Sequence, residues 1–330
     1  MSKRASVAIF VPHVGCPHRC SFCDQCAISG STSIPQAEDV KAACERAISC
    51  GVDPKNTEIA FFGGSFTAVP RAYMIELLNA AKPYVDAGFR GIRLSTRPDA
   101  VDCEVLGILK DYGATSIELG AQSMSDEVLT ANERGHTSED VERAANLVKE
   151  YNFALGLQMM VGLYKSTPEL DIYTAERLIA LKPAEARIYP TVILKNTRLG
   201  ELYAAGEYES FPLNTAISLC SELLDMFESA GISVIKLGLH SSADVEKDML
   251  GGLYHPAFRE LCEAERFRKR MESMLNGDKA VTFTVSPENL SKALGQKRSN
   301  IEYFRSKGVE VTILPDPSQS ELIKRQTEEI

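Results

Sequence analysis

Cys16, Cys20, Cys23 and Cys26 fall within eleven residues, the first three in the run Gly15-Cys16-Pro17-His18-Arg19-Cys20-Ser21-Phe22-Cys23-Asp24. Thiolates held this close repel one another unless a cation or a metal cluster neutralises them. Two kinds of metal fit the residue types. A structural zinc needs four tetrahedral ligands, which Cys26 or His18 would complete, although zinc sites usually draw on two paired ligand sets in different segments and no further Cys-x-x-Cys or Cys-His pair occurs outside this cluster. An iron-sulfur electron carrier uses four cysteines, but the gaps here run three, two, two and not two, two, three. Three cysteines alone would leave one iron open to a ligand. The other five (Cys44, Cys50, Cys103, Cys220, Cys262) are scattered singly. The odd total of nine thus reads as reduced thiols plus a metal site, not a disulfide framework.

Other polar groups recur at places where a ligand would need them. Gly63-Gly64-Ser65 supplies a backbone that a ligand can approach closely. Gln122 is followed twelve residues later by Arg134, whose planar donors suit a carboxylate and equally suit an ion pair with Glu133 or Glu139.

The elements that must position these residues alternate. Strand-like runs cover 7–11, 58–62, 92–95, 116–119, 153–161, 187–192 and 232–237. Helical patterns cover 37–48, 71–81, 100–110, 138–150, 167–181 and 215–229. Alternation of this kind predicts an α/β fold with a parallel sheet, either doubly wound or a (β/α) barrel, complete or partial. The cysteines follow the first strand, Gly63-Gly64 the second, Thr96-Arg97 the third, Gly120-Ala121-Gln122 the fourth and Pro190-Thr191 the sixth. Loops rich in polar groups at the carboxyl ends of successive strands favour the barrel, in which all of them open on one face. Alternation turns Gln158 and Met160 of the fifth strand and Tyr189 of the sixth toward the barrel interior, although core packing produces the same pattern. Three regions are expected: the barrel over 1–275, a small β-α-α-β unit over 276–314, and a frayed polar tail over 315–330.

Composition narrows the class without deciding it. A charged fraction of 25%, a hydrophobic fraction of 44% and a net charge of −9 exclude disordered, collagen-like and broadly basic coating proteins. No apolar stretch reaches the roughly 18 residues of a membrane span, so no membrane partner and a cytoplasmic location are expected.

Cys16, Cys20 and Cys23, with aromatic Phe22 before the last of them, resemble the signature of the radical S-adenosylmethionine (SAM) superfamily. The resemblance implies that these three thiolates hold a [4Fe-4S] cluster whose open iron binds SAM. It further implies that SAM is cleaved to a 5′-deoxyadenosyl radical, with electrons from a donor such as flavodoxin or ferredoxin. By the same resemblance Gly63, Gly64 and Ser65 face the methionyl amine, Ser65 standing where a glutamate is usual, and Gln122 and Arg134 contact the SAM ribose and carboxylate. Gln158 and Tyr189 are added as interior-facing candidate cofactor contacts. No catalytic residue is assigned, and Cys26 is left as a spare thiol.

The segments Phe62 to Thr67, Thr96-Arg97-Pro98-Asp99, Glu118 to Ser123, Arg134-Gly135-His136-Thr137, Ile188 to Thr191 and Gly206-Glu207-Tyr208 together resemble the Elongator catalytic-subunit branch of that superfamily. That likeness implies tRNA modification. Only 55 residues follow residue 275, too few for the branch's acetyltransferase domain, so acetyl-CoA is not expected as a partner. Those residues are instead similar to a minimal KH unit, with the turn Gly295-Gln296-Lys297-Arg298 and a local excess of basic residues that would suit RNA phosphates. Two further readings stand beside this one. The first is a radical SAM oxidoreductase acting on a small molecule, similar to the oxygen-independent coproporphyrinogen oxidases, and the second is a non-enzymatic zinc-binding protein.

Overall fold

The structure is a computed structural model that describes residues 5–12, 16, 19–24, 33–239 and 243–326. Cys26, His18 and His240 lie outside the described residues.

Seven parallel strands build the main sheet in chain order: β1 (Ala5–Val11), β2 (Thr57–Gly63), β3 (Gly91–Thr96), β4 (Ala114–Gln122), β5 (Ala154–Val161), β6 (Glu185–Pro190) and, skipping one, β8 (Ser233–Leu237). Each neighbour pair is parallel, and β1 and β8 remain as the two free edges, so the sheet is a partial barrel with one open side. The helices α1 (Ala37–Ser49), α2 (Arg71–Asp86), α3 (Cys103–Asp111), α4 (Asp126–Ala131), α5 (Ser138–Glu150), α6 (Pro168–Ala180), α7 (Arg198–Ala204) and α8 (Leu213–Ser229) connect them. Most start where the sequence offers a cap: Asp102 accepts from Val105 N, Thr137 from Asp140 N, and Thr167 from Leu170 N, satisfying amides that a helix start leaves unpaired. The convex face of the sheet packs Ile59, Phe61, Ile92, Leu94, Ile117, Leu119, Leu157 and Ile188 against helix residues such as Leu77, Leu106, Val141 and Leu223 in one continuous core.

The elements differ from the sequence expectation in several places, among them the unexpected short helices α4 and α7 and an α2 that runs on to Asp86. The expected sixth strand, 187–192, divides at Thr191. Its first part stays in the main sheet as β6, while β7 (Val192–Leu194) pairs antiparallel with β9 (Met249–Gly252), beyond α9 (Ala243–Asp248). The helix expected from residue 100 begins at Cys103, because Pro98–Ala100 forms a separate 3-10 turn and Asp102 is the cap. A 16-residue helix, α10 (Phe258–Ser273), gave no clear signal, since its mean hydropathy is low; its apolar stripe, including Phe258, Cys262, Phe267 and Met271, is nonetheless buried.

After α10, β10 (Ala280–Val285) and β11 (Glu310–Pro315) pair in parallel around α11 (Leu290–Leu294) and α12 (Ser299–Ser306). The small unit has its own core of Phe283, Val285, Phe304 and Ile313, joined by Phe267 and Met271 of α10. Residues 315–326 are not the frayed tail expected from their polar composition: β12 (Lys324–Arg325) adds antiparallel to β10, and Ile323 is 3% exposed within the small core. Leu322 and Ile323 pack on the small core, and Arg325 ties the segment to Asp278 and to the Met274 carbonyl. The basic residues of this unit are also largely spoken for, Lys292 by Glu263, Arg305 by Glu302 and Lys307 by Glu272, which removes most of the expected local charge excess. No helix among the described residues is long and apolar enough to cross a membrane.

Candidate active site

The cysteine segment leaves the carboxyl end of β1 and is anchored from two sides. Ser21 donates through its Oγ to Asn132 Oδ1 at 2.8 Å and through its N–H to the Asn132 carbonyl at 3.1 Å, while its own carbonyl accepts from Leu199 N at 2.7 Å. Asn132 is fully buried at the end of α4 and donates its amide to the carbonyls of Val128 and Tyr164. Cys23 N closes a turn onto the Cys20 carbonyl at 3.1 Å, and Phe22 packs against Ile193, Leu199 and Tyr208. Cys16, Cys20 and Cys23 are all half-buried, unoxidised thiols. Burial, reinforced by the nearby Cys20 and Cys16, pushes the Cys23 thiol up to about 12. Three such sulfurs can ionise together only with a compensating positive centre. Among the described residues no three His, Cys, Asp or Glu side chains converge on one metal ion.

Arg134 stands against this segment. Its Nη1 donates to Cys20 Sγ at 2.9 Å and its Nη2 to the Gly120 carbonyl at 2.7 Å, so its donors serve the site and not Glu133 or Glu139. Left-handed backbone at Glu133 (φ 55°) and Gly135 (φ 69°) turns Arg134 inward, where it is 6% exposed with its guanidinium 6.0 Å from the Phe22 ring centre. Gln122 lies beside it. A bulge in the β4–β5 ladder between Gly120 and Gln122 puts Gln122 at φ 66°, a conformation that costs a residue with a Cβ roughly 1 kcal/mol or more. A Cβ on Gly120 would sit 2.9 Å from Gln122 Nε2 and 3.6 Å from Arg134 Nη2, so glycine at 120 allows both side chains to stand over the strand end. Arg134 Nε and Gln122 Oε1 are buried without a hydrogen-bond partner. Unpaired buried donors and acceptors are rare, and this pair asks for a ligand offering an acceptor to one and a donor to the other. An amino-acid carboxylate and a ribose hydroxyl have that character. The donor set therefore fits a thiolate-bound cluster with SAM beside it.

Sequence reasoning overlooked the support beneath. Arg97 forks onto Asp99 and donates Nη2 to the Arg134 carbonyl. Ser65 does not extend toward the cysteines: its Oγ contacts Thr96 Oγ1 at 2.7 Å and accepts from Arg97 N at 3.1 Å, and Thr96 in turn meets Thr67. Gly63, at φ 109°, ends β2 exposed, and Gly64 N donates to the Val11 carbonyl, tying the glycine turn to the end of β1. His136 is 6% exposed with Nε2 3.2 Å from the Ala121 carbonyl; burial, with Arg134 and Arg97 close by, lowers it to about 4, leaving a neutral imidazole.

Gln158 and Tyr189 lie on the concave face, Gln158 as the ladder partner of Gly120 with its amide donated to Glu118. Glu118 there accepts two bonds from Arg187 (2.6 and 3.0 Å), one from Arg93 (2.7 Å) and one from Gln158 (3.0 Å), and Arg93 also bridges Glu58 and Glu185. Although burial opposes its ionisation, Arg187 and Arg93 hold the Glu118 carboxyl below the usual range. Gly156 makes room, since a Cβ there would lie 2.8 Å from Glu118 Cγ. Arg187 reaches Tyr189 OH at 3.5 Å and lies 5.3 Å from the Phe62 ring centre. The signal for this network was present as charged residues in the predicted strands, at 58, 93, 118 and 187, with Glu185 just before the predicted start of the sixth.

Comparison with known proteins follows the same outline. Residues 10–178, just over half the chain, match the radical SAM superfamily, and residues 183–270 match the radical SAM C-terminal domain. An uncharacterized protein of Methanocaldococcus jannaschii is 30% identical over 68% of this chain and 67% of its own. A tRNA uridine(34) acetyltransferase of Dehalococcoides mccartyi is 25% identical over 66% of this chain and 55% of its own, and one of M. jannaschii 27% identical over 67% and 48%. This chain thus spans about half the length of those acetyltransferases. Among solved structures, Elp3 of Methanocaldococcus infernus superposes with a TM-score of 0.63 at 21% identity, covering 83% of this chain and 63% of that one, which shows the shared partial-barrel fold.

Proposed function

Since the chain belongs to the radical SAM superfamily and is an enzyme, we propose that it modifies RNA, most specifically tRNA, using a [4Fe-4S] cluster and SAM. The observation that carries the cofactor assignment is the joining of Arg134 to Cys20 beside the unpaired Arg134 Nε and Gln122 Oε1. The tRNA assignment is supported by the names of its curated relatives.

In this reading Cys16, Cys20 and Cys23 hold the cluster, and Arg134 and Gln122 meet the carboxylate and ribose of SAM. When bound, the cluster and SAM would supply radical chemistry for removing a hydrogen atom from the substrate. The protein's part is placement. The Arg134 bond to Cys20 Sγ places positive charge at the sulfur, the kind of contact that tunes a cluster's potential. Ser65 and Arg97 act by positioning, through Thr96 and the Arg134 carbonyl. Gln158 and Tyr189 face the concave cavity where a substrate would enter. A small one-electron donor such as flavodoxin or ferredoxin completes the partners.

The test is anaerobic reconstitution with iron and sulfide, reduction with dithionite in the presence of SAM and of bulk tRNA, and detection of 5′-deoxyadenosine and of altered nucleosides, with Cys20→Ala as control. Production by the wild type alone, raised by tRNA, supports the reading. A protein that purifies with tightly held zinc and takes up no iron would overturn it, and 5′-deoxyadenosine formation indifferent to tRNA would remove the RNA assignment.

A further inference from the structure

The carbonyl of Ala121, at the carboxyl end of β4, meets two donors. Ser123 N reaches it at 2.9 Å and closes a three-residue turn around Gln122. With Gln122 at φ 66° this is the left-handed form of the γ-turn, rare and strained for a residue with a Cβ. The second donor is His136, whose Nε2 lies 3.2 Å from the same carbonyl across 15 residues of chain. A carbonyl only accepts, so Nε2 carries the hydrogen and Nδ1 is bare. Nδ1 is buried without a partner, and burial, with the positive Arg134 and Arg97 close by, disfavours a second proton on the ring. The backbone that carries this ring is fixed. His136 directly precedes α5, where Asp140 accepts from Thr137 N at 3.0 Å, Thr137 Oγ1 accepts from Asp140 N at 3.3 Å, and Ser138 N donates to Asp126 of α4 at 2.7 Å. Beyond the turn, Met124 N donates to Thr174 Oγ1 of α6 at 3.1 Å. The turn is thus held on every side, while Oε1 of the glutamine at its apex has no partner in the protein. Strain maintained in this way gathers where a side chain has to be presented to a ligand.

We infer that His136 is a positioning residue for SAM: by donating to the Ala121 carbonyl it holds the strained turn that presents Gln122 to the ribose. The inference rests on the cofactor reading above and gives its two halves separate supports. Arg97 steadies the carboxylate side through the Arg134 carbonyl, and His136 steadies the ribose side through the Ala121 carbonyl.

The experiment is anaerobic equilibrium dialysis of radiolabelled SAM against the full-length, cluster-loaded protein, comparing the wild type with His136→Phe, His136→Gln, Gln122→Ala and the double variant of His136→Phe with Gln122→Ala. His136→Phe keeps a ring and removes the donor, and it should weaken SAM binding about fivefold, the contribution of one net hydrogen bond. His136→Gln, whose side-chain amide offers a donor at the reach of Nε2, should restore most of the affinity. Against Gln122→Ala the same His136→Phe change should weaken binding by less than about twofold, because the turn then presents nothing; a loss of general structure would appear in full in both backgrounds. The number of sites per cluster, read from the same titration, separates molecules that fail to fold from folded ones that bind weakly. Full affinity in His136→Phe, no recovery in His136→Gln, or an equal loss with and without Gln122 overturns the positioning role and leaves the SAM reading standing. A cluster-loaded wild type that binds no SAM removes both.

Discussion

Asn132→Ala is the change that most directly tests how the cysteine segment is held. The side chain makes three buried hydrogen bonds, from Ser21 Oγ at 2.8 Å and to the carbonyls of Val128 and Tyr164 at 2.8 and 2.9 Å. At about 1 kcal/mol net for each, the loss is roughly 3 kcal/mol; the Ser21 hydroxyl, left fully buried without its acceptor, adds about 1 kcal/mol more. A fall in stability of about 3–5 kcal/mol and a drop in Tm of roughly 6–10 °C should follow. Ser21→Ala removes one of the three bonds and leaves the backbone bond from residue 21 to residue 132 in place, so its loss should be about 1–2 kcal/mol. The measurement is urea unfolding of the two variants beside the wild type, with iron content after reconstitution as the second readout. Both should fall in the order wild type, Ser21→Ala, Asn132→Ala. Equal stability of the two variants would refute the reasoning, because it would mean that the amide of Asn132 holds nothing that the serine does not.

Two further outcomes follow from buried groups elsewhere. Gly156→Ala places a Cβ 2.8 Å from Glu118 Cγ, and Glu118 cannot retreat while Arg187 and Arg93 hold it, so a loss of about 1–3 kcal/mol is expected in urea unfolding; a change under about 0.5 kcal/mol would mean that the network is softer than its geometry. Burial raises Asp171 to about 7, although it accepts from Ser166 Oγ and Gly162 N. The folded state then binds the proton more tightly than the unfolded chain, so the stabilisation is complete below about pH 4 and is lost as pH rises to about 7. Asp171→Asn should flatten this part of the stability-pH curve, and a variant curve parallel to the wild type between pH 4 and 7 would contradict the assignment.

The order of strands and the carboxyl-end location of the polar loops were legible because they rest on local signals: β-branched runs, capping residues, and Gly or Pro at strand ends. Arg134 and Gln122 were legible as types suited to carboxylate and hydroxyl, and the structure sets both over Gly120. What escaped was long-range. Asn132 falls in a stretch to which no strand or helix was assigned, and nothing near it in sequence points to Ser21, 111 residues earlier. Ser65 was read by its place in a motif, whereas its hydroxyl is taken by Thr96 and the Arg97 amide, residues of the next strand end. The role of Ile323 depends on a core assembled from segments 40 residues upstream, which composition alone does not reveal.

Because the seven strands of the main sheet lie side by side in the order of synthesis, each docks on the main-sheet strand made before it, and only the small β7–β9 pair waits for a later partner. The sheet can accordingly be extended one strand-helix unit at a time as the chain emerges. The cysteine segment is the exception. It is among the first parts made, yet its anchors are Asn132 and Leu199, so it acquires its final shape only after more than half the chain has been added. Assembly order thus separates the framework, complete strand by strand, from the cysteine loop, whose final shape comes late in the life of the nascent protein.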